Sequence, residues 1–236
     1  MDPAQLVVPF LVAFAVTFTL TPFVRRLAPK LGLVDMPNPR RINTVPMPTG
    51  GGLAVFVGFV AASVSAGIPH ILPTISAAAV VTLVGVIDDR VGLKPGRKFL
   101  GQLMAVLIYV IWGTRIEFVS NPFGGMFYLG YLSFPVTVLW VLSLINLMNF
   151  IDGLDGLAVG ITLIAAVTLL SLAWDLGRIE AAVLSAVLVG VSAGFLPFNF
   201  NPAKLYLGDA GAMLLGFLLA VVSTEGALKG AATIGL

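Results

Sequence analysis

The chain has 236 residues, 58% hydrophobic and 10% charged, with a formal net charge of +2 and a mean hydropathy of +1.05. Soluble domains carry about 25% charged residues, so this composition excludes a soluble enzyme, gives no electrostatic footprint for nucleic acid, and predicts an integral membrane protein. There is no cysteine, and His70 is the single histidine, which excludes disulfides, thiolate metal sites and a histidine-rich metal centre.

The N-terminus MDPAQ has no basic segment or small-residue cleavage site, so the first apolar run reads as a retained span. Spanning a bilayer takes about 20 apolar residues, fewer where flanking side chains snorkel. Eight apolar segments follow in order: 6–24, 51–68, 71–87, 99–113, 132–148, 157–174, 181–198 and 211–224. They are continuous runs without the alternation of a membrane barrel, so they predict helices. Pro22, Pro135 and Pro197 fall near predicted helix ends, where proline is best tolerated. The expected fold is an all-α polytopic bundle of about eight transmembrane helices, one integral-membrane domain over residues 1–236, with no internal repeat. The connection 114–131, rich in aromatics and with Pro122, Gly124 and Gly125, predicts a short hairpin at the interface.

Parity sorts the connections. If the N-terminus is outside, the connections 25–50, 88–98, 149–156 and 199–210 share the opposite side. They hold Arg25, Arg26, Lys30, Arg40, Arg41, Arg90, Lys94, Arg97, Lys98 and Lys204, leaving only Arg115, Arg178 and Lys229 of the 13 basic residues. The positive-inside rule makes that side cytoplasmic. The same four connections carry most of the unusual polar residues.

The first, DMPNPRRINTVPMPTGGG (35–52), has four prolines, three glycines, one carboxylate and a basic pair. Gly50, Gly51 and Gly52 precede a helix whose N–H groups could receive an anion, and Arg40 and Arg41 could hold phosphate oxygens. A lipid-headgroup anchor explains the arginines equally well. In the second, Asp88 and Asp89 close a span, and adjacent like charges call for a cation, a basic neighbour or water. Lys94, Arg97 and Lys98 follow; carboxylates beside cations suit a Mg²⁺–phosphate site, and a solvated interfacial turn is the alternative. In the third, NLMNFIDGLDGLA (146–158), Asn146 and Asn149 share a helical face, and Asp152 and Asp155 repeat the spacing. Helix capping by Asp152 or Asp155 is the competing explanation. In the fourth, Asp209 lies in GDAG as a metal ligand or a plain N-cap. His70, in an outer connection, reads as structural or solvated.

These residues carry a resemblance. DxPNxRR…PxPxxGG at Asp35–Gly52, the DD pair with GLxxxxK at Asp88–Lys98, NxxNxIDGLDGLA at Asn146–Ala158 and GDAGA at Gly208–Ala212 occur in order. The chain resembles the polyprenyl-phosphate N-acetylhexosamine-1-phosphate transferases over residues from about 20 to 225. The PNPRR segment and Ile151 are similar to the undecaprenyl-phosphate GlcNAc-1-phosphate transferase branch, not to the phospho-N-acetylmuramoyl-pentapeptide transferases. Asn43 stands where the family often has histidine. The family also continues for roughly another third, with a basic, histidine-containing inner loop, so the resemblance implies that a C-terminal part of the family domain is missing.

The resemblance implies transfer of a sugar-1-phosphate, GlcNAc-1-phosphate, from a UDP-sugar to undecaprenyl phosphate, releasing UMP and starting a cell-envelope polysaccharide such as teichoic acid or lipopolysaccharide. It implies catalytic roles for Asp88, Asp89, Asp152 and Asp155. Substrate contacts would come from Lys98, Asn146, Arg40, Arg41 and Asn43, and metal ligation from Asn149 and Asp209. The implied cofactor is Mg²⁺, with Mn²⁺ as a substitute. The implied partners are polyprenyl phosphate, a UDP-N-acetylhexosamine and the plasma (inner) membrane, with a homodimer allowed and no nucleic acid. A phospho-N-acetylmuramoyl-pentapeptide transferase stays open as an alternative, as do a catalytically incomplete fragment and a transporter, the last of which predicts charges at span centres and repeat symmetry.

Overall fold

The structure, a computed structural model, describes residues 3–37, 45–112, 115–120 and 125–228. Arg40, Arg41 and Asn43 lie outside the described residues, as does Lys229. Among the described residues eight α-helices occupy the eight predicted segments: α1 Ala4–Leu27, α2 Gly52–Ser65, α3 Ile71–Val91, α4 Pro95–Trp112, α5 Ser133–Ile151, α6 Leu157–Asp175, α7 Ile179–Asn199 and α8 Gly208–Leu228. Six are long and apolar enough to cross a membrane. The exceptions are α2, whose 14 residues make about 21 Å of helix, and α4, which holds Arg97, Lys98 and Gln102 in its N-terminal half. The bundle is therefore polytopic and helical as expected, with two of its eight helices less membrane-like than the other six.

Helices α7 and α8 form the centre. In their most apolar windows 72% and 78% of residues are buried, against 22–33% for α1, α3, α5 and α6. The surrounding helices turn large apolar side chains outward, among them Leu11, Leu72, Leu83, Leu139 and Ile164. In water such a surface would aggregate; in lipid it is the ordinary exterior. Helices α1 and α6 pack on α7, and α3 and α5 on α8. Small residues allow the close approaches: a side chain at Gly194 of α7 would run into the α1 backbone at Phe14.

Among the described residues two pairs of short strands accompany the helices. β1 (Val34–Asp35) pairs antiparallel with β2 (Met47–Pro48), and β3 (Phe118–Ser120) with β4 (Met126–Tyr128). The second pair is the expected hairpin, its three β4 residues all exposed.

Several helix ends extend beyond the predicted apolar runs, and four of them matter for the site. Helix α3 continues past residue 87 to Val91, α4 begins at Pro95, α5 runs to Ile151 and α8 begins at Gly208. Asp88, Asp89, Lys98, Asn149 and Asp209 therefore sit on terminal helical turns, not in loops. Hydropathy stops at the first polar residue, whereas a helix continues until its terminal N–H and C=O groups find other partners.

Candidate active site

The four polar connections meet at one end of the bundle. Leu33 O accepts the Thr49 N–H at 3.0 Å, and Pro48 O accepts the Tyr206 N–H at 3.0 Å. Gly51 N–H and Gly52 N–H donate to the Tyr206 and Leu207 carbonyls, both at 3.0 Å. This corrects the expectation of an anion cradle at Gly50–Gly52. Two of those N–H groups are already bonded, and they pin the start of α2 to the segment before α8.

That segment is shaped by a glycine and a carboxylate. Gly208 adopts φ +75°, a left-handed conformation that residues with a Cβ disfavour. A Cβ there would also meet the Asp89 carboxylate and the Thr49 hydroxyl. Asp89 Oδ1 accepts the Asp209 N–H at 2.8 Å, and Oδ2 accepts the Ala210 N–H at 3.2 Å. Asp89 on α3 thus caps the N-terminus of α8, satisfying orphan donors with a charge favoured by the helix dipole. Asp209 is not the cap of its own helix, and its carboxylate points elsewhere.

It points to Lys98. The Lys98 Nζ donates to Asp209 Oδ2 at 2.8 Å and to Asn149 Oδ1 at 2.9 Å, and pairs with Asp88 Oδ2 at 2.8 Å. Asn149 Nδ2 donates to Asp209 Oδ1 at 2.6 Å. The remaining Asp88 oxygen accepts the Leu93 N–H at 2.6 Å, closing the end of α3. Four helices each contribute one member: α3 Asp88, α4 Lys98, α5 Asn149 and α8 Asp209. The side chain of Asp88 is 9% exposed and that of Asp209 35%, so the cluster opens on its Asp209 side.

One helical turn deeper lies a second polar layer. Asn146 Nδ2 donates to Gln102 Oε1 at 3.0 Å and to Leu142 O at 2.8 Å, and Gln102 Nε2 donates to Met213 Sδ at 3.0 Å. Gln102, Asn146 and Met213 repeat the α4–α5–α8 junction of Lys98, Asn149 and Asp209 at spacings of four, three and four residues. Asn146, expected to touch substrate, is here engaged with Gln102. Gln102 lies outside the motifs that single out the other site residues; its signal in the sequence is an amide inside an apolar run, four residues after Lys98.

The 152–156 turn and the 199–206 segment clamp each other. Asp155 Oδ2 accepts the Ala203 N–H at 2.9 Å and the Asn201 amide at 3.2 Å. Asn199 Oδ1 accepts the Gly156 N–H at 3.1 Å, and its Nδ2 donates to Leu205 O at 3.2 Å. The N-cap of α6 is Gly156, with no side-chain cap, so neither Asp155 nor Asp152 caps that helix. Asp155 braces the loop. The Asp152 N–H donates to Met148 O at 3.1 Å, but its half-buried side chain makes no hydrogen bond or ion pair among the described residues. Burial pushes its carboxyl well above the usual carboxylate range, and the charges of Asp209, Asp89 and Asp155 push it further. His70, expected to be structural or solvated, is exposed at the N-cap of α3 with φ 53°.

Among the described residues no group of three or more acidic, histidine or cysteine side chains forms a metal cage. The donor set that does converge is Asp88 and Asp209 with the Asn149 amide oxygen, all hard oxygens of the kind Mg²⁺ and Mn²⁺ accept. They already surround one cationic centre, the Lys98 ammonium.

Residues 71–227 match the family model described as "Glycosyl transferase family 4". The chain is 36% identical over 229 residues to the Bacillus subtilis "Probable undecaprenyl-phosphate N-acetylglucosaminyl 1-phosphate transferase", covering 95% of this chain and 64% of that one. It is 38% identical over 245 residues to the Mycobacterium tuberculosis "Decaprenyl-phosphate N-acetylglucosaminephosphotransferase", covering 92% of this chain and 59% of that one. The Enterococcus faecalis "Phospho-N-acetylmuramoyl-pentapeptide-transferase" is 28% identical, covering 94% of this chain and 76% of that one. The chain thus spans 64% and 59% of the length of the first two relatives.

Proposed function

Because the chain belongs to glycosyl transferase family 4, we propose that it transfers GlcNAc-1-phosphate from UDP-GlcNAc to undecaprenyl phosphate. The polyprenyl phosphate oxygen attacks the β-phosphorus of the nucleotide sugar, the bond to the bridging oxygen breaks, and UMP leaves. The convergence of Lys98, Asp88, Asn149 and Asp209 carries this reading. Phosphoryl transfer asks mainly for positioning and charge neutralisation, and a lysine among hard-oxygen donors at the mouth of a membrane bundle offers both.

Asp209, Asn149 and Asp88 would hold Mg²⁺. When bound, that ion would neutralise charge on the donor pyrophosphate. Lys98 would contact phosphate. The second pKa of a phosphate monoester is near 6, so the acceptor is largely dianionic at neutral pH and needs no strong base. Asp88 and Asp152 therefore orient substrates rather than abstract protons, while Asp89 and Asp155 hold α8 and the 152–156 turn in place. Helix α4 presents Phe99, Leu100, Met104 and Ile111 outward, an apolar stripe that starts beside Lys98 and suits an isoprenoid tail.

The chain is a multi-pass membrane protein by its six apolar helices and its relatives. The proposed orientation puts the site in the cytoplasm, where ten of the 13 basic residues gather, and the membrane is the plasma membrane. All four members of the Lys98 cluster come from one chain, so a homodimer would not be needed to complete it. The identity to the GlcNAc-1-phosphate relatives (36% and 38%) exceeds that to the muramoyl-pentapeptide enzyme (28%), which favours UDP-GlcNAc as donor.

The test supplies membranes containing the chain with radiolabelled UDP-GlcNAc, undecaprenyl phosphate and Mg²⁺. Equimolar UMP and a lipid-linked GlcNAc diphosphate are expected. Product only from the UDP-muramoyl-pentapeptide donor, or no UMP from either, would overturn the proposal.

A further inference from the structure

The Lys98 ammonium is held by three oxygens, Asp88 Oδ2 and Asp209 Oδ2 at 2.8 Å and Asn149 Oδ1 at 2.9 Å. An ammonium has three donors, so in this position Lys98 has none left for a phosphate. The same oxygens are the hard-donor set assigned above to a divalent cation, and the inference rests on that assignment. We propose that the trio is one exchangeable cation site: Lys98 fills it at rest, and a divalent cation displaces the lysine, which then becomes free to grip the substrate phosphate.

Three features carry this. First, like charges at such separation disfavour each other strongly, and a hard dication draws oxygens closer than an ammonium does. The two cannot share the trio. Second, the oxygens do not depend on Lys98 for their positions. Asn149 Nδ2 bonds Asp209 Oδ1 at 2.6 Å, Leu93 N–H bonds Asp88 Oδ1 at 2.6 Å, and Asp89 fixes the backbone of Asp209 at 2.8 Å. The cage therefore survives the lysine's departure. Third, Lys98 has a flexible four-carbon stem in the first turn of α4, and the cluster is most open at Asp209, whose side chain is 35% exposed. An exit towards the aqueous end is available. Exchange would couple the two substrate-side charges, so that the lysine reaches a phosphate only after the cation is in place.

The experiment uses the purified full chain in detergent with Mn²⁺ as probe, free Mn²⁺ being read by its paramagnetic resonance signal. Lys98→Met should bind Mn²⁺ at least tenfold more tightly than the unmodified chain, because no tethered cation competes. A second measurement needs no variant: acetylation of Lys98 by a water-soluble reagent, read by peptide mass spectrometry, should rise severalfold in saturating Mg²⁺ while the exposed Lys94 stays constant. Equal or weaker Mn²⁺ affinity in a folded Lys98→Met chain, or Lys98 acetylation unmoved by Mg²⁺, overturns the exchange and leaves the metal assignment standing. Absence of saturable Mn²⁺ binding, or binding unchanged by Asp209→Asn, overturns the metal assignment and the exchange with it.

Discussion

Asp89 holds Asp209 by its backbone: the carboxylate of one accepts the N–H of the other at 2.8 Å, across 120 residues of sequence. Its neighbour Asp88 instead faces Lys98 at 2.8 Å. Two adjacent acids on α3 thus have different duties, one fixing where α8 begins and the other facing the cation that α8 also binds. Asp89→Ala should lower thermal stability in detergent. Each lost bond to the carboxylate costs on the order of 1.5–3 kcal/mol, and the effect should appear without substrates. Unchanged melting with abolished turnover would show that Asp89 acts in the chemistry instead.

Lys98→Ala should raise the KM for lipid phosphate and lower turnover. A charge-assisted hydrogen bond of about 1.5–3 kcal/mol corresponds to roughly ten- to a hundredfold. The donor KM should change less. Weakened UDP-sugar binding with normal lipid kinetics would move Lys98 to the pyrophosphate side.

Asp209→Ala should abolish sugar-phosphate transfer, because it removes two of the oxygens around Lys98 and Asn149. EDTA should have the same effect on the unmodified chain, reversed by added Mg²⁺. Full activity in EDTA would refute the metal role.

Asp152 predicts a pH effect on stability. Its folded pKa is raised, so the folded chain keeps a proton that the unfolded chain loses above about pH 4. Stability should fall as pH rises from there to the folded pKa, and stay lower above it. Asp152→Asn should therefore raise the melting temperature more at pH 8.5 than at pH 4.5 in metal-free buffer. An equal shift at both values would remove the carboxyl from the account.

Topology can be read in intact cells, and the absence of cysteine gives a clean background. His70→Cys and Lys94→Cys lie at exposed positions flanking α3. An impermeant maleimide should label the first and spare the second. Labelling of both would sink the proposed orientation.

Much of this was legible in the chain itself. Lipid selects continuous apolar helices because backbone groups have no water to bond, so eight runs gave eight helices, and parity put their polar connections at one end. The family patterns singled out Asp88, Lys98, Asn149 and Asp209 without a fold. Composition and periodicity, however, are local, and partners are not. Only packing could show that Asp89 caps α8, that Asp155 braces the 199–206 segment, that Asn146 engages a buried Gln102, or that the Gly51 and Gly52 N–H groups are already bonded. Each depends on which terminal turns meet across the bundle. That meeting is set by the close approach of α2 and α3 to the start of α8, where a side chain at Gly52 or Gly85 would strike the backbone around Ala210. The sequence named the groups at the site; the packing distributed their hydrogen bonds, because a donor or acceptor buried at a helix end must take whichever partner the neighbouring helix presents.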